Sequence, residues 1–462
     1  MTEPTVTGTT SSERLRRREQ RAWYWYDWAN SAYVTTTGTV LFAPYLTSVA
    51  ETAACGAPGT ADHPCTTNLV LFGFLAVSPG SLVFYVVTLA TIVSALVLPV
   101  VGAAADRSGH KRRILGGFAW AGSVAAALMF LVTGSDWQLG TALLFVATLC
   151  LGSSLVVYDA ILCEIATPEE RDRVSSRGWA LGYLGGGLLL AANLAVVTLH
   201  DRLGLSTAMA VRLSLLSAAI WWAGFTLVPY LGIRDRAPVS VVPERGGLLR
   251  QSFGQLVTTL RGLRHYPVTM TFLLAYLFYN DGIQTVIASA SVYGEKQLGF
   301  GTSTLIGTIL MVQFVAFVGA LVFGRAAGRF GSRQVILAGL LVWLAVVAVA
   351  YFLPRGRIVW FLVLAVGIGL VLGGTQALSR SFFSLLIPRG REAEYFSLYQ
   401  ACERGTSWLG TLVFGLVHQW TDSYRPAILA LAVFFLVGLV LLARVDPVRG
   451  IQEAHRPAPV AA

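Results

Sequence analysis

The sequence has 462 residues, of which 55% are hydrophobic and 13% are charged, about half of the roughly 25% charge of a soluble domain. This composition excludes an ordinary soluble globular protein and favours a bilayer as the surroundings of the chain. The formal net charge of +10 does not indicate nucleic acid as a partner, because the basic residues are distributed over many short segments rather than gathered in one patch.

Twelve apolar stretches are long enough to cross a bilayer as helices, which takes roughly 20 residues each. We number them span 1 to span 12. They lie at about residues 22–48, 79–105, 113–133, 138–166, 177–200, 208–232, 267–294, 301–324, 333–353, 358–387, 395–418 and 425–445. The sequence therefore predicts an all-α membrane protein with twelve transmembrane helices.

The basic residues between these spans predict the orientation of the chain. The N-terminal segment, every second loop and the C-terminal segment hold 26 of the 34 basic residues, and the intervening loops hold six. By the positive-inside rule we expect both termini and the central loop to be cytoplasmic. The first 20 residues are polar and rich in arginine, so we interpret them as a cytoplasmic tail and not as a signal peptide. The preference for arginine over lysine suggests a bacterial plasma membrane.

Span 1 opens with the aromatic residues Trp23, Tyr24 and Trp25, for which an anchor at the membrane surface is the favoured interpretation. Deeper in the span, Asp27, Asn30 and Tyr33 are candidates for a substrate or proton pathway. The long loop after span 1 contains Cys55 and Cys65. A disulfide between them and two free thiols are both compatible with the sequence.

The loop after span 2 reads GAAADRSGHKRR at residues 102–113, and a weaker copy, GRAAGRFGSR, follows at residues 324–333. Two further pairs of segments match in the same order, so the chain contains an internal repeat. Parallel repeats of this kind are typical of the major facilitator superfamily. We predict a basic tail at 1–21, a six-helix bundle at 22–232, a cytoplasmic linker at 233–266, a second six-helix bundle at 267–445 and a tail at 446–462.

Four dispersed motifs indicate a family. They are YDWANSAY at 26–33, RGWALGYLGG at 177–186, YNDGI at 279–283 and GTQALSRS at 374–381, the last followed by Ile387 and Pro388. Together they resemble the vacuolar amino-acid effluxers of autophagy and their bacterial relatives. The resemblance implies the major facilitator fold and the transport of neutral amino acids.

Seven ionisable residues lie inside predicted spans, where a charge costs on the order of 3 kcal/mol and needs a partner or water. They are Asp27, Asp159, Glu164, Asp281, Arg380, Glu403 and Arg404. Five acids against two bases predict protonated carboxylates or balancing cations, and hence proton coupling. We assign a cytoplasmic gate to Asp27, Asp159, Arg380, Glu403 and Arg404, with Asp159 and Arg380 paired across the repeat. A permanent packing bridge is the alternative.

Span 7 shows a polar stripe at mid-membrane depth. Asn280, Asp281 and Gln284 lie on it, and Gln376 and Arg380 are four residues apart on span 10. A zwitterion would match these groups, with its ammonium near Asp281 or Asp27 and its carboxylate on the planar fork of Arg380. The alternative is that these side chains only bond helix to helix.

The basic hairpin after span 2 contains a candidate latch. Asp106 ends the span, where a carboxylate can meet the positive N-terminus of a neighbouring helix. The superfamily resemblance assigns this role to Asp106 and an accompanying ion pair to Arg107. A loop that only sets topology is the alternative. The second copy has Gly328 at the position of Asp106, so we expect no latch in that half.

The sequence therefore predicts a secondary active transporter that moves a small polar solute, an amino acid, by alternating access with proton coupling. We expect no enzyme activity, no cofactor and no metal site, because the chain has no nucleotide loop, no catalytic triad and no His or Cys cluster. We expect a monomer. The rival hypotheses are a multidrug or metabolite exporter of the same fold and a membrane receptor or scaffold that does not transport.

Overall fold

A computed structural model of the chain describes residues 7–59, 65–71, 75–238, 262–405, 407–421 and 423–455. Most of the predicted linker lies outside the described residues, with Arg245, Arg250 and Arg261. The end of the C-terminal tail with Arg456 and the tip of the loop between Cys55 and Cys65 are also outside them.

Every predicted span corresponds to helix in the described residues. Spans 1 to 6 are Thr7–Tyr33 continued by Val34–Leu41 and Phe42–Cys55, then Leu82–Ser108, Lys111–Leu128, Trp137–Ile165, Arg171–Thr198 and Thr207–Gly232. Spans 7 to 12 are Pro267–Val292, Thr302–Phe330, Ser332–Phe352, Ile358–Leu385, then Glu392–Gly405 with Ser407–Thr421, and Tyr424–Ala430 with Ala432–Ala443. A short helix, Pro447–Ala454, follows.

Spans 2 to 6, 8 to 10 and 12 are long and apolar enough to cross a membrane, nine in the part of the chain that the structure describes. Spans 1, 7 and 11 are not among them. Span 11 is described as two helices of 14 and 15 residues on either side of residue 406. Spans 1 and 7 carry polar side chains along much of their length, which lowers their hydropathy. The three exceptions therefore coincide with three of the spans that hold predicted site residues.

Span 1 is longer than the sequence analysis predicts. Its helix begins at Thr7 rather than near residue 22 and passes through a π-helix at Val34–Leu41. Glu19 explains the early start, because its buried carboxylate accepts hydrogen bonds from the backbone N–H of Arg234 at 3.1 Å and from Arg236 at 2.7 Å. The described part of the predicted N-terminal tail is thus a continuation of span 1, held against the end of span 6.

Glycines on span 5 bring spans 1 and 5 close together. A Cβ atom at Gly178 would lie 2.4 Å from a carboxylate oxygen of Asp27, and one at Gly182 would lie 2.6 Å from Ser31 Oγ. A Cβ at Gly186 would lie 2.7 Å from the hydroxyl of Thr35. Small residues at four-residue intervals permit this approach of two membrane helices.

The two halves of the chain meet through spans 2, 4 and 5 of the first half and spans 8, 10 and 11 of the second. Outside the bundles, Cys55 and Cys65 form a disulfide with a Cα–Cα distance of 5.9 Å, which decides between the two alternatives that the sequence leaves open. Strands β1 (Leu69–Leu71) and β2 (Leu75–Val77) pair antiparallel beside it.

Candidate functional site

Arg380 of span 10 is the centre of the contact between the two halves. Its guanidinium bonds both oxygens of Asp27, at 3.4 and 3.0 Å, and one oxygen of Asp159, at 3.3 Å. Its Nε donates to Ser175 Oγ at 2.9 Å, and its Nη2 donates to the Ser175 carbonyl at 3.2 Å. All three nitrogens of a side chain that is only 3% exposed are therefore used.

Aromatic rings enclose this ion cluster. The Arg380 guanidinium lies 4.8 Å from the ring centroid of Trp23 and 5.4 Å from those of Tyr158 and Trp179. Trp23 is buried, stacks on Tyr158 with centroids 4.2 Å apart and donates to the Tyr158 carbonyl. The interfacial anchor favoured for Trp23 is therefore wrong, because its ring forms a cation–π wall for the buried arginine.

The structure contains the predicted contact between Asp159 and Arg380, and it adds a second contact to Asp27, which the sequence places at the same depth but does not pair with Arg380. The same contacts contradict Arg380 as a free receptor for a substrate carboxylate in this conformation. Its planar fork is already occupied by two carboxylates of the other half.

Gln400 links this cluster to the remaining charges of span 11. Its amide nitrogen donates to Asp159 at 2.9 Å and to Glu403 at 3.1 Å. Its amide oxygen accepts a bond of 3.3 Å from Nε of Arg404. Sequence reasoning missed this residue, because an uncharged glutamine near the end of a span carries no signal that separates it from a surface residue.

A second set of polar side chains lies on and around span 7. Gln376 donates to the side-chain oxygen of Asn280 at 3.0 Å, and Asn280 donates to the carbonyl of Glu403 at 3.1 Å. Asp281 accepts the backbone N–H of Gly410 at 2.9 Å. Spans 7, 10 and 11 of the second half are thus tied together by polar side chains, while Gln284 is half-buried on the same helix.

Three oxygen atoms in this region have no hydrogen-bond partner among the described residues although they are buried. They are Asp281 Oδ1, Thr285 Oγ1 and Gln376 Oε1. A buried polar atom without a partner is costly. This unused hydrogen-bonding capacity at mid-membrane depth is what a bound polar solute or a proton would satisfy.

The pathway candidates on span 1 have structural partners. Asn30 donates to the Tyr26 carbonyl one turn earlier at 2.6 Å, and the Tyr26 hydroxyl donates to Ser154 Oγ at 2.5 Å. Tyr33 is 3% exposed and stacks on Trp222 with a centroid distance of 4.8 Å. In this conformation these side chains pack inside the first half, and their assignment to the pathway stays a prediction.

Asp106 makes the contact that the sequence predicts for a latch. One of its carboxylate oxygens accepts the backbone N–H of Ala393 at 3.1 Å, and the other accepts that of Glu394 at 2.9 Å. These N–H groups belong to the first turn of span 11 in the other half, where the helix dipole favours a negative charge. Its conformational role as a latch stays a prediction.

The ion pair that accompanies Asp106 involves Lys111 rather than Arg107. The Lys111 ammonium lies 2.8 Å from Asp106, 2.9 Å from Glu164 and 4.0 Å from Glu392, and its side chain is buried. Arg107 is exposed. The chain turns back at Gly109 in the left-handed conformation, which returns Lys111 toward the carboxylate.

At the second copy of the hairpin, the carboxylate again comes from the first half of the chain. Gly328 is exposed and has open space around it. Instead, Asp172 at the start of span 5 accepts hydrogen bonds from Ser332 at 2.6 Å and Ser381 at 2.5 Å. The carboxylate that joins the halves at this place is therefore supplied by span 5, which the repeat pattern alone did not indicate.

We define the basic face as the side of the molecule that contains residues 107–113, 166–171 and 386–392. Polar contacts between the halves gather toward this side, as Arg171 to the Ser384 carbonyl at 2.6 Å and Ser175 to the Ala377 carbonyl at 2.7 Å illustrate. The contact between Gln313 and Thr35 at 3.4 Å lies farther from it. The two halves are therefore joined at the basic face. Among the described residues, no group of three or more His, Cys, Asp or Glu side chains could hold a metal ion.

Two helical bundles joined at one membrane face by buried ion pairs are the architecture of a major facilitator transporter, and solved structures agree. The major facilitator transporter FucP, in its outward conformation, matches over 93% of this chain and 98% of its own length, with a TM-score of 0.63 and 14% identity. The proton:xylose symporter XylE matches over 94% and 95% with a TM-score of 0.65 and 12% identity.

The family described as "Vacuole effluxer Atg22 like" matches residues 15–455, so the chain belongs to this family. An uncharacterized MFS-type transporter of Bacillus subtilis (strain 168), YxiO, is 30% identical over 92% of this chain and 94% of its own length. Autophagy-related protein 22 of Botryotinia fuckeliana (strain B05.10) is 24% identical over 87% and 80%. The chain is thus a multi-pass membrane protein and a transporter of the major facilitator superfamily.

Proposed function

We propose that the chain is a secondary active transporter that moves an amino acid by alternating access and couples this movement to protons. The observation that carries the proposal is the buried cluster in which Arg380 of the second half is held by Asp27 and Asp159 of the first. A cluster of this kind joins the halves only while the basic face is closed.

Opening the basic face would separate these charges, which supports a coupled mechanism. Two carboxylates and one guanidinium leave one negative charge in excess if all are ionised, and a bare charge inside a membrane protein is costly. A proton or a cationic group of the solute would balance the excess when the halves part. The energy of a proton gradient would then enter transport at Asp27 or Asp159.

An amino acid fits the polar groups that the two halves enclose. Its ammonium would bind at Asp281 or Asp27, and its carboxylate would need a cation other than the engaged Arg380. The unused oxygens of Asp281 and Gln376 support a small polar solute over an apolar one. The family description, a vacuolar effluxer, supports transport of solutes out of a compartment in the relatives.

We further propose a bacterial plasma membrane as the location, with both termini and the basic face in the cytoplasm. The arginine distribution supports this orientation. The transporter would act as a monomer, because the proposed pathway lies between two halves of one chain. Its partners would be the solute, protons and the lipid bilayer, and nucleic acid would not be one.

The test is transport by the purified chain reconstituted in lipid vesicles with an imposed pH gradient. A panel of radiolabelled amino acids, dipeptides and organic cations would be supplied on one side. We expect accumulation of at least one amino acid, abolished by an ionophore that collapses the gradient. Vesicles without protein and vesicles with Arg380→Gln provide the controls.

Three other outcomes would contradict parts of the proposal. Uptake of organic cations alone would favour a multidrug or metabolite exporter of the same fold. Accumulation that persists without a pH gradient would contradict proton coupling. Binding of a solute without any flux would favour a receptor or scaffold in which the fold no longer transports.

A further inference from the structure

Two arginines occupy the interior of the protein, and they differ in how their donors are used. Every guanidinium nitrogen of Arg380 has a partner, as described above. Within the described part of the chain, Arg404 of span 11 has one side-chain hydrogen bond, from its Nε to the amide oxygen of Gln400 at 3.3 Å. Among the described residues, no carboxylate lies within 4.0 Å of its guanidinium. Its two terminal nitrogens are therefore available to an external acceptor.

The position of Arg404 places the two terminal nitrogens of its guanidinium between the two halves. Arg404 follows Glu392 by twelve residues, which is about 18 Å along the helix at ~1.5 Å per residue. This depth is near the middle of the membrane. Its guanidinium carbon lies 3.9 Å from where a Cβ of Gly152 on span 4 would be, so the side chain faces the other half.

The exposure of Arg404 indicates that water reaches the guanidinium. The side chain is half-buried, and its terminal nitrogens are not among the buried atoms that lack a partner. A planar guanidinium with two parallel free donors is the protein group best matched to a carboxylate, which it binds with two hydrogen bonds. A cation at mid-membrane depth without a carboxylate partner is costly unless an anion is supplied.

We propose that Arg404 is the residue that binds the carboxylate of the transported amino acid. This inference rests on the proposed function and replaces Arg380 in the role that the sequence analysis gave it. Arg404 would then determine specificity, because a solute without a carboxylate leaves the guanidinium unpaired. The site requires a free α-carboxylate and rejects the corresponding amide or amine.

Gln400 would connect this site to the contact between the halves. It accepts from Arg404 and donates to Asp159, which in turn holds Arg380. A carboxylate on the terminal nitrogens of Arg404 would shift the guanidinium, and with it the amide of Gln400 to which its Nε is bonded. The bound solute would thereby alter the ion pairs that close the basic face. Gln400 is a positioning residue in this scheme and does not itself touch the solute.

The first test measures chemical modification of the full chain in lipid nanodiscs. Phenylglyoxal modifies accessible arginines, and mass spectrometry of the peptides reports the rate at each one. We expect saturating L-leucine to slow modification of Arg404 and leucinamide to leave it unchanged. Arg357, which is exposed outside the spans, serves as the internal control and should react equally in all samples. Equal rates at Arg404 with and without L-leucine would overturn the assignment.

The second test separates a binding role from a structural one. Competition by L-leucine and by leucinamide would be measured for the amino-acid uptake of wild type, Arg404→Lys, Arg404→Gln and the surface control Arg357→Gln. We expect Arg404→Gln to lose at least about tenfold of the preference for L-leucine, the order of magnitude of a charge-assisted pair. Arg404→Lys should keep part of it, and Arg357→Gln should keep all of it.

The two proposals fail in different ways. Uptake of an amino acid with the preference for a free carboxylate unchanged in Arg404→Gln would contradict Arg404 and leave the transport function intact. Protection of Arg404 by L-leucine in a protein that carries no amino acid would support the carboxylate site and contradict the proposed transport.

Discussion

The buried charges of this transporter are only partly balanced by their neighbours. Arg380 neutralises part of the charge of Asp27 and Asp159, which are 5% and 1% exposed. Removing one member of a buried ion pair is more destabilising than never having the pair, because the remaining charge is left without compensation. The stability of the cluster and its function can therefore be separated by mutation.

We expect Arg380→Gln to lower the free energy of unfolding by about 3–5 kcal/mol, because two carboxylates remain buried without the cation they share. Adding Asp27→Asn and Asp159→Asn should restore most of the stability, since the cluster is then neutral. The triple variant should nevertheless fail to transport against a gradient. Thermal unfolding of the purified variants in one detergent and uptake in vesicles are the measurements.

The variant Arg357→Gln, at an exposed position, is the control for removing an arginine that is not part of the cluster. A triple variant that stays as unstable as Arg380→Gln would show that the charge imbalance is not the cause. A triple variant that still accumulates solute would remove the cluster from the coupling mechanism.

At Asp281 stability and proton transfer can be separated by one substitution, because only one of its carboxylate oxygens accepts a hydrogen bond among the described residues. Asparagine can still accept the Gly410 N–H through its side-chain oxygen, but it cannot take up or release a proton. We expect Asp281→Asn to fold with wild-type stability and to lose accumulation against a gradient while exchange down a gradient continues. Asp281→Leu loses the acceptor as well and should be less stable. Accumulation by Asp281→Asn at the wild-type rate would exclude Asp281 as a proton carrier.

At the residue scale the sequence indicates which charges are unusual but not how they pair. The interior positions of Asp159, Arg380 and Arg404 follow from hydropathy alone. The partners Asp27, Gln400 and Ser175 do not, because contacts across more than 100 residues depend on the packing of the two halves. In the hairpin, Lys111 and not Arg107 forms the ion pair with Asp106, because the chain turns back at Gly109. The periodicity of the spans does not predict this pairing.

At the scale of elements, spans 1 and 5 pack as closely as two helices can because span 5 presents glycines. Gly178 lies against the carboxylate of Asp27 and 3.2 Å from the guanidinium of Arg380, measured from the position of a Cβ. Any side chain there must displace the ion cluster. The packing of this helix pair and the geometry of the charge cluster are thus one constraint.

We expect Gly178→Ala to impair both folding and transport, whereas Gly117→Ala should be neutral or stabilising. Alanine has a higher helix propensity than glycine by about 1 kcal/mol, but at Gly178 the added methyl group meets an oxygen at 2.4 Å. Gly117 lies on an exposed helix face with nothing within 4 Å. Unfolding temperature and uptake would be compared for the two variants. Equal behaviour of the pair would contradict the packing argument.

The bounds of the helices illustrate what composition can and cannot specify. Apolar length predicts all twelve spans, because crossing a bilayer demands it. It misses the first fifteen described residues of span 1, because Glu19 and Gln20 are polar and are buried only by contacts with distant loops. It also misses the π-helix at Val34–Leu41, because apolar length predicts a helical span and not the hydrogen-bond spacing within it.

At the scale of the whole molecule, the internal repeat builds two halves that differ where they meet. The first half contributes Asp106 to the N-terminus of span 11, while the second has Gly328 at the equivalent position and receives Asp172 of span 5 instead. Both contacts lie at the basic face. Breaking them on one side and forming others on the opposite side is what alternating access requires.

The final prediction concerns access to Gln284, a pathway candidate on span 7. In a protein whose three cysteines outside the disulfide, Cys150, Cys163 and Cys402, are replaced by serine, we expect Gln284→Cys to react with an impermeant maleimide added from the face opposite the basic face. Reagent added at the basic face should react slowly, because the ion pairs close that side. Val342→Cys, on the exposed outer surface of span 9, should react from neither side because lipid covers it.

Adding Asp106→Ala to Gln284→Cys should increase labelling from the basic face by roughly two- to fivefold, the effect of losing a charge at a helix N-terminus. The carboxylate bonds two N–H groups of span 11 only in the closed arrangement, so its loss favours the open one. Asp106→Asn retains an acceptor and should show a smaller increase. Labelling that is equal from both faces, and unchanged by either Asp106 variant, would contradict a protein that is closed at the basic face.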